Sequence, residues 1–181
     1  MAVSQIPPKQ TPCYSAPPVK ADKRFCVVHL DSLKWSADIQ IPSGRFRLFA
    51  AADVTRASTE LMSEFAYSAL KNGMVYFCAW GLDCERFHDI VDEVVVEDDA
   101  GERLFVGKNR SDTIMTTAHD NEPLDQALDF FASLTSPTAG FERNRNFRVA
   151  VSLNNAEWAA QIQRHFEEAN RSIGDWPPTV R

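Results

Sequence analysis

The sequence lacks the short motifs that would assign a common enzymatic function. It contains neither of the glycine-rich phosphate loops, G-x-G-x-x-G and G-x-x-x-x-G-K-[ST], and no G-x-S-x-G nucleophile elbow. With only seven glycines in 181 residues, the dinucleotide-binding and common hydrolase classes lose most of their support. C-x-x-C and H-E-x-x-H are also missing, and a metal site needs three or four converging ligands. We therefore expect no cofactor and no metal.

Other absences bear on location and partners. There is no run of about 18 apolar residues, so no membrane span is expected. The amino terminus lacks the apolar core of a secretory signal, and four cysteines do not make a disulfide framework in a chain this long. These features predict a cytoplasmic protein. The net charge is −6, whereas a nucleic-acid or anionic-membrane binder needs a basic face, so neither partner is expected.

What is present is typical of a soluble domain with a proper core. Hydrophobic residues make up 44% of the chain and charged residues 24%. Residues 1–22 are rich in proline and predict a disordered arm, because proline fixes φ and removes hydrogen-bond donors. We expect one α/β domain over residues 23–171 and a tail without periodicity over 172–181.

Short apolar runs alternate with helical patterns along most of the chain. This order predicts a three-layer α/β/α sandwich, Rossmann-like, with a mainly parallel or mixed sheet of about five strands. The link between the first two strands looks too short for a helical crossover, so these two strands could pair antiparallel. The expected strands are residues 24–30, 46–51, 74–80, 113–117 and 147–153.

Capping residues predict where the helices begin. Ser58 and Asp83 precede the first two helical patterns, and Asn154, with Glu157 as a capping-box partner, precedes the last. Asp120 or Asn121 is expected to cap the helix with the stripe from Leu124 to Leu134. In the second pattern, β-branched residues 94–96, a turn at 98–101 and an apolar run at 104–106 instead favour a small hairpin.

Polar residues gather at the predicted strand ends. In parallel sheets ligands bind outside the carboxyl ends of the strands, so these residues are the candidates for a binding site. The alternative interpretation of each is a helix cap or an ordinary loop residue. The ligand-binding candidates are Asp53, Trp80, Gly81, Asp83, Arg86, His88 and Asn154.

Three further residues, Cys84, His119 and Asp120, are candidates for catalysis. Cys84 lies in the first turn of a predicted helix, where the dipole and free N–H groups favour a thiolate and lower the thiol pKa. His119, at another strand end, is a candidate base, oriented by Asp53 or Asp120. The competing interpretation is that Cys84 is a buried bystander.

Two segments carry a resemblance to a known family. One has W-G-L-D-C-E-R at residues 80–86, and the other has M-T-T-A-H at residues 115–119. They resemble the signature segments of a family of short, uncharacterised bacterial α/β proteins, a domain of unknown function. The resemblance covers roughly residues 25–166 and implies a bacterial source but no reaction. It selects the same two strand ends as the fold argument.

The leading functional hypothesis is a small binding or accessory protein that acts on a small ligand or protein partner at the strand carboxyl ends. A second hypothesis is a thiol- or acid/base-dependent hydrolase or transferase that uses Cys84 and His119. A third is a structural subunit of a larger assembly, with the amino-terminal arm and the segment 176–178 as contacts.

Overall fold

The computed structural model describes residues 25–35, 39, 41, 44–100, 113–138, 141 and 147–174. The predicted arm, the apolar run at 104–106 and residues 175–181 lie outside these ranges. The elements, in chain order, are β1 (Phe25–Leu30), β2 (Phe46–Ala51), α1 (Thr59–Lys71), β3 (Met74–Trp80), α2 (Cys84–Ala100), β4 (Met115–His119), α3 (Leu124–Ser133), β5 (Arg148–Leu153) and α4 (Ala156–Gly174).

The five described strands form one sheet in the order β1-β5-β2-β3-β4, and every pairing among them is parallel. The predicted α/β class is confirmed. An antiparallel pair of β1 and β2 is wrong, because β5 lies between them and both run parallel to it. The link after β1 instead crosses β5, and its Leu33 and Trp35 pack against the core.

Helices cover both faces of the sheet. On one, which we call the α1/α2 face, Phe87 of α2 packs against Phe77 of β3 and Phe65 of α1. On the other, the α3/α4 face, Phe131 of α3 and Phe166 of α4 belong to a second buried cluster. The strands read as continuous apolar runs in the sequence because their alternate side chains are buried on opposite faces.

Helix α2 continues through the segment where a hairpin was expected. Val94 and Val95 are helical and buried, and the helix runs to Ala100. They extend the spacing set by Phe87 and Val91, so one stripe of the helix faces the core. Burial of that stripe overrides the β propensity of the valines. The predicted strand at 94–96 is wrong, and so is the predicted turn over its described residues, 98–100. Helix α4 likewise continues to Gly174, beyond the predicted start of the tail.

The cap of α1 is confirmed, because the Ser58 side chain accepts a hydrogen bond from Leu61 N. The cap of α4 is Asn155, whose Oδ1 accepts from the backbone N–H groups of Glu157 and Trp158 at 3.1 and 3.0 Å. Asn154 adopts φ +49° and donates its own N–H to the Leu30 carbonyl, so the predicted capping box is wrong.

Helix α3 starts without the expected cap. Pro123 occupies the N-cap position, and no side chain of the described residues caps this helix. The Asp120 carboxylate accepts from the Asn121 side-chain amide instead, which leaves both residues in the turn before the helix.

Candidate functional site

The parallel sheet brings all five strand ends to one side, which we call the carboxyl edge. The last layer of side chains on its α3/α4 face forms a row across the strands, in register from neighbour to neighbour: His29, Ser152, Ala51, Trp80 and His119.

Trp80 ends β3 and His119 ends β4, and the chain leaves these two strands toward opposite faces of the sheet. After β3 the chain enters α2 on the α1/α2 face, and after β4 it enters α3 on the α3/α4 face. Adjacent parallel strands whose connections diverge in this way leave a crevice between their carboxyl ends, where α/β proteins bind ligands.

His119 is a buried polar residue at this crevice. The residue is only 7% exposed, and its ring stacks obliquely on Phe130, with centroids 4.4 Å apart. Its Nδ1 lies 3.2 Å from Glu122 Oε2, and its buried Nε2 has no hydrogen-bond partner among the described residues. An ionised carboxylate only accepts, so when the ring is neutral Nδ1 carries the hydrogen and Nε2 is an acceptor without a donor.

Two tryptophans lie beside this histidine. Trp80 is the register partner of His119, and its Nε1 donates to the Glu122 carbonyl at 2.8 Å. Its ring meets Trp158 of α4 edge to face, with centroids 5.1 Å apart and an interplanar angle of 80°. We call Trp80, His119, Glu122 and Trp158 the His119 site.

Sequence reasoning missed two members of this site. Glu122 replaces Asp53 and Asp120 as the carboxylate on His119, and its position three residues later, in the same turn, was the available signal. Trp158 fits the apolar helical stripe of α4, a spacing typical of core residues, yet it is only partly buried. The contact between Trp158 and Trp80 depends on α4 packing on the face of the sheet to which Trp80 points. The sequence of neither segment alone predicts this arrangement.

Cys84 differs from its prediction. It is 2% exposed and belongs to the core on the α1/α2 face, whereas the His119 ring packs against α3 on the opposite face. Burial raises the pKa of the Cys84 thiol, and the charges of Asp120 and Glu85 add to the increase. Hydrogen bonds from the backbone of His119 and of Cys84 itself favour the thiolate, but desolvation outweighs them. The expected lowering of the pKa is therefore wrong.

A second cluster joins the loop after β2 to the start of α2. Arg86 Nε donates to Asp83 Oδ2 at 2.6 Å, and its two terminal nitrogens donate to the carbonyls of Ala57 and Val54. Asp83 itself adopts φ +62°. Arg86 thus ties two loops together, and its hydrogen bonds are used within the protein.

Asp53 and Gly81 stabilise the same loops. The Asp53 carboxylate accepts from the hydroxyl and the backbone N–H of Thr55, and these hydrogen bonds lower its pKa. Gly81 adopts φ +115°, and a Cβ placed there would lie 2.2 Å from the Ala52 carbonyl oxygen. The close approach explains why glycine occupies this position.

The remaining candidates lie apart from the His119 site. His88 Nε2 is 3.0 Å from Thr116 Oγ1, and that hydroxyl also donates to Asp92, so this network links α2 to β4 on the α1/α2 face. Asn154 lies beyond β5, bonded to the end of β1. Across the described ranges, no three histidine, cysteine, aspartate or glutamate side chains converge as metal ligands.

These observations define the class: an α/β protein with helices on both faces of a parallel sheet whose strand ends meet at one edge. More particularly, the chain belongs to the family described as a domain of unknown function (DUF7684), whose model matches residues 25–169. Membership in a family of unknown function is thus confirmed. No curated protein and no solved structure matches the chain. None of the helices in the described part is both long and apolar enough to cross a membrane.

Proposed function

We propose that this domain binds a small ligand at the His119 site. The observation that carries the proposal is the buried Nε2 atom of His119, which has no hydrogen-bond partner among the described residues. Leaving such a group unsatisfied costs about 1–3 kcal/mol, and a ligand that donates a hydrogen bond would recover that cost.

The surroundings of the ring support a binding role. Glu122 fixes its tautomer and Phe130 fixes its plane, so the acceptor direction is set before a ligand arrives. Nε2 is buried, and a ligand therefore reaches it only after neighbouring side chains move.

Binding is favoured over the thiol-dependent alternative. A cysteine nucleophile needs thiolate at neutral pH, and burial shifts the pKa of Cys84 in the opposite direction. The contact of the Cys84 thiol with His119 is to the backbone, whereas the imidazole lies against Phe130 of α3.

Stability measurements on His119→Phe test whether Nε2 is satisfied within the protein. The phenylalanine keeps a ring against Phe130 and removes the unpaired nitrogen, so we expect the variant to be at least as stable as wild type in urea denaturation. The substitution also removes the contact of Nδ1 with the exposed Glu122 carboxylate, which is worth at most about 1 kcal/mol. A loss of more than about 2 kcal/mol would therefore contradict the proposal, because the remainder would mean that the protein already uses Nε2.

Ligand-observed NMR with a diverse fragment library tests binding itself. We expect a set of fragments to bind wild type and to lose binding in His119→Phe. The matched control is His29→Phe, which changes the same residue type at the far end of the sheet, on β1. Fragments that bind all three proteins equally, or no binding to wild type, would sink the proposal.

A further inference from the structure

The two helix starts that flank the His119 site carry only negative charge. Residues 119–126 contain Asp120, Glu122 and Asp125, residues 154–160 contain Glu157, and neither segment contains lysine or arginine. The positive ends of α3 and α4 are thereby offset by carboxylates, so an anion gains little from either helix dipole.

The chemistry of the ring selects a hydrogen-bond donor. Because Glu122 occupies Nδ1, the only free position of the neutral imidazole is the acceptor Nε2. This excludes ligand groups that only accept, such as an ionised carboxylate or phosphate, from the position opposite Nε2.

The tryptophan pair adds a preference for positive charge. Trp80 and Trp158 are both partly exposed, and their edge-to-face contact leaves ring surface that is not covered by the partner. Indole faces attract ammonium groups electrostatically, and tryptophan is the strongest aromatic partner for a cation.

From these three observations we infer that the ligand of the His119 site is an organic cation with N–H donors, a protonated amine. One N–H donates to His119 Nε2, the charge is balanced by the Glu122 carboxylate, and the organic part lies against the indoles of Trp80 and Trp158. This inference rests on the proposed function, since it names the chemistry of the ligand at the same site.

Four hexyl compounds with different head groups separate the contributions. Hexylammonium has charge and donors, hexyltrimethylammonium has charge alone, 1-hexanol has a neutral donor, and hexanoate is an anion. Binding is followed by tryptophan fluorescence and by saturation-transfer NMR. We expect hexylammonium to bind best, with about a fivefold loss for hexyltrimethylammonium because the hydrogen bond to Nε2 is missing.

Variants assign each contribution to a residue. His119→Phe should remove the advantage of hexylammonium over hexyltrimethylammonium, and Glu122→Gln should reduce the preference for both cations over 1-hexanol. The control for lost surface charge is Glu60→Gln, an exposed carboxylate in the first turn of α1, which should change neither ratio.

The outcomes distinguish this inference from the proposed function. If 1-hexanol or hexanoate binds best and its binding depends on His119, the site exists but the inference about a cation is overturned. If none of the four compounds binds and the fragment library also gives no ligand for wild type, both fail. Hexylammonium binding that is unchanged in His119→Phe would overturn the inference, because it would show that the ammonium N–H group does not donate to Nε2.

Discussion

Replacing Gly81 with alanine tests the turn that positions the carboxyl edge. Gly81 adopts φ +115°, a conformation that L residues rarely adopt, and this alone costs about 1–3 kcal/mol for alanine. The new Cβ would also lie 2.2 Å from Ala52 O, so the two backbones must separate by roughly 0.8 Å to reach the 3.0 Å limit of real Cβ contacts.

That separation strains two hydrogen bonds between the loops. Ala52 N donates to Trp80 O at 2.9 Å, and Val54 N donates to Leu82 O at 3.1 Å, on either side of Gly81. Each is worth about 1 kcal/mol, so we expect Gly81→Ala to lose roughly 3–5 kcal/mol of unfolding free energy.

Gly44→Ala is the matched control. Gly44 also has a positive φ, +63°, but no atom of the described residues lies within 4 Å of its ideal Cβ. It should therefore show the cost of the left-handed conformation alone, about 1 kcal/mol. Urea denaturation followed by tryptophan fluorescence gives both free energies. A loss in Gly81→Ala no larger than in Gly44→Ala would refute the steric argument.

Three further predictions follow from the helix cap and the buried thiols. Asn155→Ala should lose about 1 kcal/mol of unfolding free energy in urea denaturation, because it removes the cap of α4. Asn154→Gly should lose none, because glycine adopts φ +49° readily. Equal losses in the two variants would contradict the assignment of the cap. Cys84 should react with iodoacetamide at pH 7 more slowly than a free thiol, since burial raises its pKa; faster reaction would contradict this. Burial raises the pKa of Cys78 from 9.0 to about 12, so the folded protein keeps a proton that the unfolded chain releases, and stability should fall by about 1 kcal/mol between pH 8 and 10 through this group. This slope should become shallower in Cys78→Ala, leaving the contributions of Cys26 and Cys84, whose pKa values burial also raises, and an unchanged slope would exclude Cys78 as a source.

The elements that were predicted best depend on local information. Residues 74–80 are apolar throughout, and the strand has those bounds because a strand covered on both faces needs no polar alternation. The helix after Ser58 begins where its cap predicts, at Thr59, since the capping residue and the apolar stripe agree.

The predictions that the structure contradicts depend on contacts between distant parts of the chain. The position of β5 between β1 and β2 joins segments more than a hundred residues apart, and short links suggested the wrong neighbour. The burial of Cys84 likewise depends on the core around it, whereas the helix-dipole argument considers only its own helix. His119 was selected by its place at a strand end, and it does end β4, but its contact with Glu122 depends on the shape of one turn.

The strand order also has a consequence for the growing chain. Among the described strands, β1 is bonded only to β5, so it cannot join the sheet until residues 148–153 have been synthesised and have left the ribosome. Until then one edge of β2 is also unpaired, and unpaired edges invite association with other chains. Among the five described strands, β1 is therefore synthesised first but joins the sheet last. The nascent chain is most exposed to misassociation just before β5 emerges from the ribosome.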